Sequence, residues 1–333
     1  MDSHSYAASS LPEQTAPSLS QEVLARSSGT SHSKKSGAQF QKIKRAIRRS
    51  WVGYLFLLPA LLVFLIFVWY PIALGFVMSF QSIDMINPPA WIGWQNYQHV
   101  ITDPLFAVAW HNTFEFTLYA LIFGYATPII LALLINEMRH AKAFFRLAFY
   151  LPVMLPPIVT VFLWKWIYNP DSGLLNALLG LVHLPAGLWL ESSTTSLPSL
   201  VVIATWSAAG ATILIYLAAL QGASASLYEA AEIDGSNLWQ RLWHITLPSI
   251  RPVMLLMLIL QLISTMQVFV EPFTVTDGGP QNSTMTVLLL IYNYAFVQGD
   301  FGDASALGVL LFVVLAIFAL IYMRITRNSL QGD

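Results

Sequence analysis

Six apolar runs, each long enough to cross a bilayer, constrain this chain more than any other feature. They lie at roughly 52–80, 112–136, 144–168, 198–221, 253–275 and 303–324. A helix needs about 20 apolar residues to span the hydrocarbon core. Backbone groups in lipid must be satisfied within the protein, so apolar runs of this length read as helices. The chain is 56% hydrophobic and only 10% charged, against about 25% charged for a soluble domain. The expected fold class is an all-α membrane protein with six transmembrane helices. Residues 1–50 read as a disordered, basic tail, 51–325 as the membrane domain and 326–333 as a short C-terminus.

Several runs contain proline: Pro59, Pro71, Pro128, Pro152, Pro156, Pro157 and Pro272. In membrane helices neighbouring groups can satisfy the freed carbonyls, so proline marks kinks more often than ends. The run Leu-Pro-Val-Met-Leu-Pro-Pro at 151–157 is expected to distort the third helix. Orientation follows from basic residues, which favour the cytoplasmic side. Fifteen of the sixteen Lys and Arg fall on one side if both termini are cytoplasmic, and only Lys165 lies elsewhere. The opposite loops, roughly 81–111, 169–197 and 276–302, contain no Lys or Arg. Trp91, Trp94, Trp110, Trp164, Trp166 and Trp189 sit near that outer interface, where aromatic rings anchor. The basic stretch at 34–49 reads either as an orientation signal or as a short helix on anionic lipid. Residues 1–50 lack an apolar h-region, so no cleavable signal peptide is expected.

Some chemistry is excluded. Cysteine is absent, which removes disulfides and thiolate nucleophiles. Net charge is −1, so nucleic acid is not an expected partner. The seven histidines show no metal-ligand spacing, and no nucleophile–base set can be assembled. No GxxxxGK[ST] loop occurs to cradle a nucleotide. Neither catalytic residues, nor a metal, nor a cofactor are expected on this chain.

Between the fourth and fifth runs lies a polar stretch, SLYEAAEIDGSNLWQRLWHITLPSIRP. Ser226 followed by Glu229 fits a capping box, opening a helix from about Leu227 to Ile233. Asp234-Gly235 breaks it, glycine supplying a positive φ at low cost. Ser236 or Asn237 can cap a second helix, about Leu238–Thr246, and Pro248 and Pro252 follow. Leu238, Trp239, Leu242, Trp243 and Ile245 would make its surface apolar. Such a loop suits insertion into a groove of a protein partner or lies on the bilayer. Interfacial helices, however, usually carry a basic face, and here Arg241 stands alone.

The spacing adds a resemblance. Glu229-Ala230-Ala231, three residues, Gly235, nine residues, Ile245, one residue, Leu247-Pro248 is the EAA signature of bacterial ABC-importer permeases. Wider stretches resemble the carbohydrate branch, the maltose/oligosaccharide and glycerol-phosphate type. They include Gly93-Trp94-Gln95-Asn96-Tyr97, Asp103-Pro104, Asn112-Thr113 and Gly278-Gly279-Pro280. The resemblance covers about residues 50–325 and implies the type I importer permease fold in a bacterial inner membrane. It further implies that Glu229, Ala230, Ala231, Asp234, Gly235, Ile245, Leu247 and Pro248 dock on an ATPase subunit. Implied partners are a second permease subunit, two ATP-binding subunits that hold the ATP, and an extracytoplasmic solute-binding protein. The ending RNSLQGD lacks the Gly/Ala/Lys-rich tail of many second-half permeases, so a first-half role in a heterodimer is expected.

Polar residues in the runs suggest the cargo route. Ser264, Gln267 and Glu271 step by three and four and would share a helix face. Related permeases place sugar contacts on this helix. The same stripe also suits hydrogen bonds to a partner helix. In the fourth run Trp206 and Tyr216 are candidates for stacking on a sugar, with packing as the plain alternative. The implied function is import of a sugar or oligosaccharide by alternating access. Glycerol phosphate or another small polar solute is the alternative, although an anion would need a basic residue on the route, and Lys165 is the one candidate. A secondary transporter would instead show inverted repeats and interrupted helices, and no convincing repeat is visible.

Overall fold

The computed structural model describes residues 55–138, 140–222 and 224–329. The expectations for the N-terminal tail, and for most of the C-terminal one, lie outside these residues. The chain divides into two units, Met1–Pro71 and Ile72–Asp333. Helix α1, Leu55–Met78, is long and apolar enough to span a membrane. Within it, Leu65–Trp69 widens into a π-turn just ahead of Pro71. Proline lacks an N–H for the carbonyl four residues back and crowds it; the wider turn makes room.

A two-stranded antiparallel ladder follows, β1 Gln81–Ser82 with β2 Ala90–Trp91. Next come α2 Gln95–Thr102 and the long span α3 Pro104–Glu137. The third crossing is a bent pair, α4 Lys142–Met154 and α5 Pro157–Ile167, turned by 103°. After α6 Leu174–Leu181 come the span α7 Ser196–Gln221 and the loop helix α8 Ala225–Ile233. The span α9 Leu238–Met266, the short α10 Val287–Gln298 and the last span α11 Phe301–Ser329 complete the order. With the bent pair as one crossing, the described residues hold the six expected spans.

Two spans depart from expectation. The third is broken, not merely kinked. A residue before proline is pushed out of the helical region, and here two such residues are adjacent: Leu155 (φ −75°, ψ 137°) and Pro156 (φ −58°, ψ 139°). Pro152, by contrast, sits inside α4. The fifth run was expected to be helical from 253 to 275. Instead α9 ends at Met266, Gln267 leaves the helix (φ −107°, ψ 24°) and Pro272–Thr276 forms a separate π-turn. Pro272 cannot donate to the carbonyl of Val268. The hydroxyl of Thr286 does so instead, at 3.0 Å.

Two of the segments between spans hold more structure than their composition shows. Segment 81–111 contains the ladder, α2 and the start of α3. Segment 276–302 contains α10, which is apolar but too short to span. Asp103 caps α3 by accepting from the N–H of Leu105 at 2.7 Å, with Pro104 at the first helical position. Asn112 donates to the carbonyls of Asn282 (2.8 Å) and Met285 (2.9 Å). The hydroxyl of Thr113 accepts from the N–H of Val287 at 3.0 Å. Asn96 donates to the carbonyls of Ser79 and Gln81, both at 2.9 Å. These stretches, noted for their resemblance, are structural fixtures that tie together the segments between the spans.

His99 on α2 pairs through Nδ1 with the buried carboxylate of Asp303 at the start of α11. The hydrogen bond that His99 donates to Asp303 is the main cause that raises its pKa above the usual 6.5; the charges of Asp303, Asp300 and Asp103 add to it. A raised folded pKa means the link is at full strength below about pH 6.5 and fades as pH climbs through the raised value. His99 is two-thirds exposed, so solvent screening holds its contribution under about 1 kcal/mol. Thermal unfolding in detergent should show stability falling from pH 6 to pH 9, and His99→Gln should flatten that slope. An unchanged slope in the variant would remove His99 as its source.

Candidate functional site

The two broken spans meet on one cavity. It has a volume of about 440 Å³ and is lined by residues of α3, α4, α5, α7 and α9 and by the segment after α9. Irregular backbone at membrane depth is tolerated where it is packed in protein or lines a watery cavity. Pro152, Val153, Leu155 and Pro157 border it from the third crossing, and Gln267, Val268 and Phe269 from the fifth. Nine uncharged polar side chains line it: Thr160, Thr205, Ser207, Thr212, Gln261, Ser264, Thr265, Gln267 and Thr274. Several bond their own helix. Thr265 donates to Gln261 O at 2.9 Å, Ser207 to Ile203 O at 2.8 Å and Gln267 to Ile263 O at 3.2 Å. Ser264 and Gln267 are exposed, and Glu271 is half-buried.

Ser264, Gln267 and Glu271 thus face one space, although not for the reason their spacing suggested. The helix ends between Ser264 and Gln267, and the break delivers all three to the cavity. Trp206 and Tyr216 do not line it. Trp206 stands edge-on to Trp164 with ring centroids 5.7 Å apart. Tyr216 is fully buried in a cluster with Ile129, Ile213 and Ile250. Both residues take the packing role. Lys165 is absent from the lining, and among the described residues it makes no ion pair with Glu271. Thr160 and Thr274 were missed, because lone threonines in apolar runs carry no periodic signal.

At the other end of α9 lies the polar loop. Its first helix starts at Ala225, with Ser224 at the cap, so the Ser226–Glu229 capping box does not form. The helix ends in a Schellman motif. Ser236 N–H bonds Ala231 O at 2.9 Å, Gly235 N–H bonds Glu232 O at 3.1 Å, and Gly235 takes φ +73°. The capping box forms one helix later, where Asn237 and Gln240 exchange side-chain and backbone bonds at 2.8 and 2.9 Å. Tyr228 and Thr246 tie the two helices through their hydroxyls at 3.0 Å. The second helix does not stop at Thr246. A π-turn at Leu242–Thr246 precedes Pro248, and the helix continues into the membrane.

Glu229, Ala230, Asp234, Gly235 and Pro248 are exposed; Ala231, Ile245 and Leu247 are half-buried. Ile233 is 87% exposed, Trp239 66% and Leu238 65%, a large apolar surface for a polar loop. Residues 124–331, which include this loop and most of the cavity, match the family described as "Binding-protein-dependent transport system inner membrane component".

The chain belongs to that family.

Curated relatives agree. The chain is 31% identical over 85% of its length to the trehalose/maltose transport system permease protein MalF of Thermococcus litoralis, covering 96% of it. It is 31% identical over 84% to the arabinooligosaccharides transport system permease protein AraP of Bacillus subtilis, covering 90%. A solved bacterial ABC transporter involved in import of the acidic polysaccharide alginate contains a chain that superposes with a TM-score of 0.76. That chain is 27% identical, and the match covers 86% of this chain and 99% of that one. The fold is that of a type I importer permease. Interrupted helices therefore do not single out a secondary transporter: this permease has them too.

Proposed function

We propose that this protein is a membrane-spanning subunit of an ATP-driven importer that moves a sugar or oligosaccharide. The observation that carries the reading is the reach of α9. One helix of 29 residues runs from the exposed loop to the cavity rim, about 40 Å at 1.5 Å per residue. A push on the loop reaches Ser264 and Gln267 through a continuous rod. ATP is hydrolysed on separate subunits, two of them, since this chain has no nucleotide-cradling loop. Glu229, Ala230, Ala231, Asp234 and Gly235 form the contact with one of these. A second permease subunit completes the pathway, and an extracytoplasmic binding protein delivers the cargo. The relative solved with an alginate pentasaccharide-bound periplasmic protein supports that last partner. Both termini lie in the cytoplasm, as the basic residues favour.

Hydroxyl-rich cargo suits the lining. Ser264, Gln267 and Gln261 offer donors and acceptors, and the broken helices give an arrangement that can switch between inward-facing and outward-facing states. The full transporter in liposomes should hydrolyse ATP faster when one sugar-loaded binding protein is present, and take up that sugar. Failure of every sugar-loaded binding protein, with uptake driven by an ion gradient instead, would overturn the proposal.

A further inference from the structure

Among the described residues, the cavity has one charged side chain. Glu271 stands on its wall with nine uncharged polar residues, and no Lys, Arg or His is among the lining residues. Its carboxylate has no hydrogen-bonded side-chain partner and no ion pair among the described residues. Lys165, the basic residue expected near this end of the spans, is exposed and lies off the lining. An ionised carboxylate only accepts hydrogen bonds. It can take bonds from sugar hydroxyls or from an ammonium group. Against another carboxylate it offers repulsion and no donor. Two carboxylates brought together repel each other, and like-charge juxtaposition is a common device for refusing a partner.

We propose that Glu271 is a charge filter on the pathway, passing neutral and amine-bearing saccharides and turning back uronates. This rests on the sugar-importer reading and narrows it. The superposed alginate importer chain comes from a transporter whose cargo is acidic, so fold alone does not dictate the cargo's charge. The discrimination resides in individual wall residues such as Glu271.

The test uses the complete purified transporter in detergent and direct binding of matched trisaccharides. Maltotriose, galactotriose and mannotriose are each measured beside the fully C6-oxidised triuronate, with the chitosan trimer as a cationic probe. The wild type should prefer at least one neutral member over its uronate by about tenfold or more. Glu271→Gln, which keeps the shape and removes the charge, should bring that ratio within about threefold. Glu271→Lys should invert it, and Glu271→Asp should retain it, which separates lost charge from lost folding. Equal binding of neutral and oxidised forms by the wild type overturns the filter and leaves the importer reading intact. So does a ratio that Glu271→Gln does not move. Absence of binding by every saccharide, together with ATP hydrolysis that ignores sugar-loaded binding proteins, overturns both.

Discussion

Replacing Gly235 with aspartate is expected to abolish sugar-driven uptake while the chain still folds and inserts. The local geometry separates the two effects. Gly235 has φ +73°, and a Cβ built there meets no heavy atom within 4 Å. The cost within the chain is therefore the backbone alone, about 1–2 kcal/mol for an ordinary residue in the left-handed region and less for Asp or Asn. Such a loss at an exposed turn does not unfold a membrane domain. Its surroundings are exposed and apolar, with Ile233 and Trp239 on either side in sequence. If an ATPase subunit packs there, a carboxylate is forced into that contact. A hot-spot position in an interface costs about 2 kcal/mol or more; if Gly235 is one, uptake should fall about 30-fold or more. Gly235→Asn tolerates the same φ without the charge and should keep more activity than Gly235→Asp. The measurements are size-exclusion of the variant, recovery of the ATPase subunits and uptake in liposomes. Full uptake in Gly235→Asp would remove this turn from the coupling surface.

Gly210→Leu is expected to leave almost no folded protein, and here the cause lies within the chain. A Cβ at Gly210 would sit 2.2 Å from the carbonyl oxygen of Phe149 and 2.8 Å from the Cα of Tyr150. Both atoms are backbone, so no rotamer change relieves the clash. Helices α7 and α4 would have to separate, and small residues are what let membrane helices approach this closely. Overpacking by one methyl group costs about 1–3 kcal/mol; Gly210→Ala should fall at the upper end, and leucine well beyond it. Gly308→Ala is the matched control, because a Cβ there meets nothing within 4 Å. Alanine is the better helix former by about 1 kcal/mol, so this variant should be neutral or slightly stabilising. Monodisperse protein recovered after detergent extraction is the readout. A normal yield of Gly210→Leu would contradict the contact between α7 and α4.

Local rules succeeded where one residue decided the backbone. Gly235 does what its chemistry dictates and stops a helix. They failed where two neighbours competed for one job. Ser226 and Glu229 have capping-box spacing, yet the helix begins at Ala225, and Asn237 with Gln240 makes the box instead. Trp206 and Tyr216, for which stacking on a sugar and packing were both open, show a different limit. Both are aromatic and lie on a membrane helix, but a helix has a full circumference, and neighbours decide which face is wet. Those neighbours belong to α4, α5 and α3, far away in sequence.

The sequence by itself determined the number of crossings, the likeness to importer permeases and the place of the exposed loop. These depend on apolar length against bilayer thickness, on charge asymmetry and on fixed spacing, all properties of a single line of residues. Only the tertiary structure decided that the third and fifth crossings both break, and that the breaks meet on one cavity where Glu271 is the sole charge among the described residues. A break's consequences depend on what fills the gap, as Thr286 does for the carbonyl that Pro272 leaves free. Such partners are brought together by packing, which no local pattern encodes.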